Sequence, residues 1–386
     1  MANGVRRIFI SDIHMGDDKS VFPRKPYVWF KNNVPLLVKF LHDQLNARDV
    51  KEVVILGDLF DEWIVPADYE PITTLDSICS NATNKTVIAE LRVLADNGKL
   101  VYVPGNHDMA INVAAISKTQ QFAQSAFPGI QFICDANMPS GRYEAGNLVA
   151  EHGNRYCLFN APDTWTNPGA CFLPLGYFIS RMVAYKVSTT GHNQDPHDIF
   201  IDFLKKYWEG NPDFIEDLFQ AIADDCGLSA ESTIELDGIS GYGGKMKVGD
   251  IGKRFKSLYS NWGHVPGAEQ VDAPMAVIGE LGNLYEAAAS AYLRPGSDKK
   301  VIIFGHTHIP DMWKGDYGNS GRSENDDDPA QTPCRAIYAN SGTWVDQAAC
   351  CTYVETEEVR EELLYVRVKE YPGDTTISDY QGFIEM

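Results

Sequence analysis

Five short strand-like runs in this chain each lead into a cluster of glycine, aspartate, asparagine or histidine. Val5–Ser11 leads into Asp12-Ile13-His14, Glu52–Leu56 into Gly57-Asp58, and Leu100–Val103 into Pro104-Gly105-Asn106-His107-Asp108. Leu148–Ala150 leads into Glu151-His152-Gly153, and Val301–Phe304 into Gly305-His306-Thr307-His308. Pro35–Ala47, Lys85–Asn97 and Ile111–Ala126, between them, carry apolar residues at helical spacing. Strands alternating with helices predict a layered α/β fold. In such sheets, functional groups gather at the carboxyl ends of the strands, where loops stand on a rigid scaffold.

The clusters have the chemistry of metal ligation. Residues i and i+2 at a strand end converge on one ion once a turn breaks the strand's alternation, so Asp-x-His and His-x-His suit chelation. Five of the nine histidines fall in these clusters. Carboxylate, amide oxygen and imidazole together suit Mn, Fe, Zn, Ni or Co better than soft thiolate chemistry does. Asp12, His14, Asp58, Asn106, His152, His306 and His308 make seven ligands. With one bridging carboxylate counted twice, they fill the about eight positions that two ions need.

Charge narrows the partners. Lys and Arg number 33 against 53 Asp and Glu, a net charge of −20. Such a field repels polyphosphate backbones and anionic membranes, which argues against binding to duplex nucleic acid. A protein of this charge that acts on phosphates needs bound cations to compensate. The eight cysteines form no CxxC pair and read as reduced thiols. Met1–Arg7 leads straight into a strand, and the longest apolar stretch, Cys171–Tyr185, is too short to span a bilayer and holds Arg181. The expectation is a cytoplasmic protein with no transmembrane segment.

The 386 residues allow two domains, or one domain with an insertion. From Asn154 to about Asp298 helical patterns dominate: Leu175–Val187, Ile199–Trp208, Phe214–Asp224 and Glu280–Leu293. Gly238–Gly252 reads as a flexible loop whose Lys245 and Lys247 could reach a substrate phosphate. His192 and His197 read as part of a polar turn. Ser320–Pro333 reads as an exposed loop, and Arg335–Ala339, Ala349–Val354 and Leu363–Glu370 as further strands. The expected organisation is a core of residues 1–153 and 299–386 with a mainly helical insertion, residues 154–298.

The five clusters resemble, complete and in order, the motifs of the calcineurin-like metallophosphoesterases: D-x-H, G-D, G-N-H-D/E, H and G-H-x-H. Asn340-Ser341-Gly342-Thr343-Trp344 adds a family-like segment. The resemblance spans roughly residues 8–153 and 301–345 and implies a four-layer α-β-β-α sandwich. It implies that Asp12, His14, Asp58 and His308 hold one metal, and that Asp58, Asn106, His152 and His306 hold another, with Asp58 bridging. His107 matches the general acid, with Asp108 to orient it. The implied activity is hydrolysis of a phosphate ester, a phosphodiester first, by attack of a metal-bridging hydroxide while His107 protonates the departing oxygen. The implied cofactors are two divalent or trivalent transition-metal ions, Mn, Fe or Zn before Ni or Co.

Gly57–Trp63, His152–Tyr156 and Phe172–Leu175, with Arg181 and Ser188, are also similar in layout to the UDP-2,3-diacylglucosamine hydrolase branch, whose helical insertion covers a lipid-bearing substrate. That similarity implies an alternative, a pyrophosphatase acting on a lipid-linked nucleotide sugar. Arg155 and Arg181 are then candidate bidentate phosphate ligands. Tyr177, with Phe178, Met182 and Tyr185, belongs either to core or to a substrate groove. The insertion is expected to be a lid over the site, or else an interface of a homo-oligomer. A rival of another class is a non-catalytic scaffold, against which the intact ligands and His107 speak. The phosphoprotein phosphatase branch carries arginines where this chain has Leu59-Phe60 and Asp108-Met109.

Overall fold

The structure is a computed structural model that describes residues 4–386 apart from 18–28, 71–74, 110–124, 135–139, 167–172, 192–195, 209–210, 212, 237–243, 266, 269, 295, 316–333 and 360–362. In the larger sheet, β1 (Val5–Ile10), β2 (Val50–Leu56), β3 (Leu100–Val103) and β4 (Gln131–Phe132) lie side by side and parallel. On the far side of β1 the sheet continues antiparallel through β12 (Thr352–Val359), β13 (Leu363–Glu370) and β14 (Thr375–Glu385). The second sheet is built from β5 (Tyr143–Ala145), β6 (Leu148–Ala150), β9 (Val301–Phe304), β10 (Pro310–Gly315) and β11 (Ala336–Ser341). Its order is β10-β11-β9-β6-β5, with β6, β9 and β11 parallel. A separate hairpin pairs β7 (Thr233–Glu235) with β8 (Lys245–Lys247).

Strand alternation sets the layers, because successive side chains leave opposite faces. Ile8 and Ile10 of β1 pack with Leu37, Phe40 and Leu41 of α1 (Val34–Asn46) and Val87 and Leu91 of α3 (Lys85–Asp96). The short α2 (Leu75–Ser80) adds Ile78 to this cluster. Phe9, between those isoleucines, faces the other way and joins Val54, Leu56, Ile303 and Ile337 between the two sheets. Each such buried side chain contributes about 1.5–3 kcal/mol.

The outer face of the second sheet carries the third cluster. Val149, Ile302, Phe304 and Tyr338 meet helices supplied by residues 154–298. These are α4 (Leu175–Thr190), α5 (Pro196–Tyr207), α6 (Phe214–Asp225), α7 (Val248–Phe255), α8 (Ala273–Glu280) and α9 (Tyr285–Ala291). The layers thus run helices, sheet, sheet, helices. Among the described residues no helix is long and apolar enough to cross a membrane.

Two expectations need correction. Glu280–Leu293 is not one helix: α8 ends at Glu280, and Gly282, at φ +89°, turns the chain before α9 begins. A glycine in the left-handed region ends a helix at no steric cost. The described part of Gly238–Gly252 is β8 followed by the first turn of α7, not a flexible loop. Lys245 faces Glu235 at 3.8 Å and Lys247 pairs with Glu231 at 2.6 Å, so neither is held for a substrate phosphate. The expected loop Ser320–Pro333, the turn before His197 and nearly all of the expected helix Ile111–Ala126 lie outside the described residues.

Candidate metal centre

The parallel strands β1, β2, β3, β6 and β9 carry all seven expected ligands just past their carboxyl ends, and the structure brings them together. Asp12, His14 and His308 offer donor atoms within 4.8 Å of one another, as do Asp58, His152 and His306. His14 Nε2 stands 3.0 Å from His308 Nε2, and His308 Nε2 stands 3.3 Å from Asp12 Oδ1. His152 Nε2 lies 3.2 Å from Asp58 Oδ2 and 2.9 Å from Asn106 Oδ1. Asp58 Oδ2 is also 3.7 Å from His14 Nε2, which puts Asp58 between the two groups.

The backbone is bent to make this convergence. Asp12, His14, Asp58, His306 and His308 all have positive φ, between +51° and +73°. Each such non-glycine residue costs about 1–3 kcal/mol, held only where the surroundings fix it. The surroundings do so here. His14 N–H and Ile13 N–H both donate to the Asp58 carbonyl at 2.9 Å. Thr343 Oγ1 and Trp344 N–H donate to the Asp12 carbonyl, so the Asn340–Trp344 segment serves as a brace for this ligand. A β-carbon on Gly105 would sit 2.2 Å from Asp58 Oδ1, so only glycine admits that carboxylate.

Hydrogen bonds behind the ligands fix which ring nitrogen faces inward. His14 Nδ1 bonds Asp61 Oδ2 at 2.9 Å, and His152 Nδ1 bonds the Leu56 carbonyl at 2.7 Å. In the neutral ring the nitrogen facing an acceptor carries the proton, so Nε2 of both rings is the atom that can offer a lone pair to an ion at the centre. Once His152 is neutral, its Nε2 and Asn106 Oδ1 both present lone pairs to the same point, which suits an ion between them. Asp12 Oδ1 and His308 Nδ1 are buried and have no hydrogen-bond partner among the described residues.

Converging lone pairs and an orphaned carboxylate oxygen fit cations, and hard oxygen with imidazole donors fits first-row transition ions. The surrounding charges agree. Burial opposes charge on His14, yet hydrogen bonds to Asp12 and Asp61 and the charge of Asp58 raise it to about 10. Against the same burial, the carboxylates of Asp58 and Asp12 raise His152 to about 9. Positive charge is favoured at both of these rings.

Asp61 is a residue that the sequence reading gave no role. Its Oδ1 faces His107 Nδ1 at 3.0 Å while Oδ2 holds His14, and Trp63 stacks on the His107 ring at 4.3 Å. Asp108, expected to orient His107, does something else. Its Oδ1 accepts from Gly105 N–H at 2.6 Å, and its Oδ2 accepts from Leu59 N–H at 2.8 Å and from the Tyr102 hydroxyl. It ties the Asp58 and Asn106 turns to each other. Trp29 is another residue missed: its ring meets His14 edge-on at 4.4 Å and lines the cavity.

That cavity is lined by Trp29, Asp58, His107 and His308 on one side and by Phe159, Ile179 and Glu280 on the other. Arg155 and Arg181 are not in its wall. Arg155 is buried, donating to Ser140 Oγ at 2.7 Å and pairing with Glu151 at 3.1 Å. Arg181 is fully buried, and its guanidinium donates to the carbonyls of Val65, Pro66 and Tyr69 and to the Tyr177 hydroxyl. The substrate contacts expected of Arg155, Tyr177 and Arg181 give way to structural bonds, because each polar head already has partners within the protein.

A family model described as calcineurin-like phosphoesterase matches residues 5–310. No curated protein matches the chain in sequence. A solved structure, purple acid phosphatase from yellow lupin (Lupinus luteus) seeds, is similar with a TM-score of 0.38 and 10% identity, covering 100% of this chain and 54% of that one. The chain therefore spans about half the length of that protein.

Proposed function

The chain belongs to the calcineurin-like phosphoesterase family, and from that premise we propose that it is a metal-dependent phosphoric ester hydrolase acting on phosphodiesters. The observation that carries this reading is the convergence of His14 and Asp12 on His308, and of Asp58 and Asn106 on His152, at 2.9–3.3 Å. Asp12, His14, Asp58 and His308 would hold one ion, and Asp58, Asn106, His152 and His306 the second. Bound ions would acidify a water and neutralise charge developing on phosphorus.

The chain's own residues supply the rest. Asp61 accepts the His107 Nδ1–H, and in the ring protonated on both nitrogens the Nε2–H is the proton that would pass to the departing oxygen, leaving the neutral Nδ1–H form. Trp63 and Trp29 bracket His107 with apolar surface and limit its freedom to turn.

The diester preference rests on the cavity wall. Among the described residues lining it there is no lysine or arginine. A monoester's second negative charge would find no lysine or arginine there, and Glu280 stands in the wall. Six of the lining residues, Phe159, Asn160, Gly176, Ile179, Ser180 and Glu280, come from residues 154–298. This supports an insertion that covers the site and sets substrate choice.

Metal analysis combined with a panel of aryl monoesters and diesters tests the proposal. Chelation should abolish hydrolysis, Mn²⁺ should restore it, and diesters should turn over faster than monoesters. Asp58→Ala should lose both ions and activity together. Full activity in metal-free protein would overturn it.

A further inference from the structure

We infer that Glu280 and Asn160, both outside the ligand set, act as positioning residues that orient the carboxamide of Asn106 toward the metal centre. The inference rests on the metal-centre reading above and gives residues 154–298 a second task besides covering the site.

The argument starts from hydrogen-bond complementarity. Burial pushes the Glu280 carboxyl up to about 7, so at mildly alkaline pH it is ionised, and an ionised carboxylate can only accept. Glu280 is buried at the end of α8, with Oε1 on the Phe159 N–H at 2.5 Å and Oε2 on Asn160 Nδ2 at 2.9 Å. The end of the Asn160 amide that faces Glu280 must therefore be the NH₂ group. Its oxygen then points the other way, and Asn106 Nδ2 lies 3.4 Å from that oxygen. The end of Asn106 facing Asn160 must in turn be its NH₂ group. Asn106 Oδ1 is thereby left facing His152 Nε2 and the centre.

A carboxamide is nearly symmetric in shape, so packing alone does not choose between its two ends. Turned around, Asn106 would offer a donor to the metal in place of an acceptor and would cease to be a ligand. The relay from Glu280 through Asn160 settles that choice chemically.

The surroundings hold the middle residue in place. Asn154 Nδ2 donates to the Asn160 carbonyl at 2.9 Å, and Gly176 N–H donates to the Phe159 carbonyl at 2.8 Å. A β-carbon at Gly176 would stand 2.4 Å from Asn160 Oδ1, so the start of α4 is cut close to this amide. Three separate parts of residues 154–298, at Asn154, Gly176 and Glu280, thus meet at Phe159-Asn160.

The test is calorimetric titration of Mn²⁺ into chelator-treated protein at mildly alkaline pH, with thermal unfolding of the same metal-free samples alongside. Wild-type protein should take up two equivalents. Glu280→Gln has one acceptor where two donors need one. With that oxygen kept on Phe159, its NH₂ group turns Asn160 and hence Asn106 around. One of the two Mn²⁺ affinities should fall by about 10–100-fold, the cost typical of lost outer partners, while the other holds. Asn160→Leu, which removes both ends of the middle amide, should do the same.

Combining Glu280→Gln with Asn160→Asp restores the pattern at unchanged net charge. The carboxylate introduced at position 160 would accept from the new amide at position 280 on one oxygen and from Asn106 on the other, so most of the lost affinity should return. Two full affinities in Glu280→Gln or Asn160→Leu would overturn the relay. So would a double variant no better than Glu280→Gln. Wild-type protein that binds no Mn²⁺ would overturn the metal-centre reading itself, and the relay with it.

Discussion

Asp61 Oδ1 lies 3.0 Å from His107 Nδ1, and the other oxygen of the same carboxylate holds the expected metal ligand His14 at 2.9 Å. One side chain thus fixes the tautomer of a ligand and of the proposed proton donor. Its Oδ1 also accepts the N–H groups of Trp63 and Ile64, which locks the carboxylate in place.

Asp61→Asn separates these duties. The amide oxygen would stay with the Trp63 and Ile64 N–H groups, and the NH₂ group would face His14. His14 would then carry its proton on Nε2, the atom aimed at the centre. Metal affinity should fall by about 10–100-fold, read by calorimetric titration of Mn²⁺. Unchanged affinity would remove Asp61 from control of His14.

His107→Ala should keep both ions, since His107 is outside the ligand set, and lower kcat by about 10²–10⁴-fold. The loss should shrink for nitrophenyl esters, whose leaving groups need little protonation. Rates across a series of leaving groups check this. A loss of equal size at every leaving group would exclude proton donation.

Asp108→Ala should behave differently, because the Asp108 carboxylate ties turns together and its hydrogen bonds go to Gly105, Leu59 and Tyr102, not to the His107 ring. Burial leaves the Gly105 and Leu59 N–H groups and the Tyr102 hydroxyl without their acceptor, at about 1–3 kcal/mol for each. The variant should melt earlier and bind metal less well. Its remaining activity should depend on leaving group as the wild type's does. A dependence like that of His107→Ala would return Asp108 to the proton-transfer step.

Arg181→Met should act on stability. The guanidinium answers three carbonyls between Val65 and Tyr69, and its loss strands them in the interior. We expect denaturant unfolding to show a loss of about 3 kcal/mol or more, with KM for small aryl diesters unchanged. A raised KM at unchanged stability would restore the phosphate-binding role expected from the sequence.

The expected ligands were legible because each is polar and follows a strand-like apolar run, and Asp58, Asn106, His152 and His306 sit beside glycine. Such punctuation survives in one dimension. Asp61 was not legible in that way, because Asp61-Glu62-Trp63 looks like any polar turn, and its partners His14 and His107 are 47 and 46 residues away. Asn160 and Glu280 are 120 residues apart and meet only through folding. Arg181 misled for a related reason. Charge in a sequence suggests solvent or ligand, but here backbone carbonyls satisfy it inside the protein. The split between α8 and α9 depended on Gly282 taking the left-handed conformation, which the apolar pattern across Glu280–Leu293 did not show.

The third hydrophobic cluster bears on how such a protein can change over evolutionary time. Tyr156, Phe178 and Ala276 share one apolar mass with Val149, Ile302 and Phe304 of the second sheet. Deleting residues 154–298 would bare that apolar sheet face to water, so a lineage that shed this segment would need another cover for it. Divergence toward new esters is then simplest by single replacements in the cavity wall. Ile179 and Ser180 are open to such drift. On the proposed relay, Asn160, Gly176 and Glu280 are not, since changing them to suit a substrate would also disturb Asn106, an expected ligand.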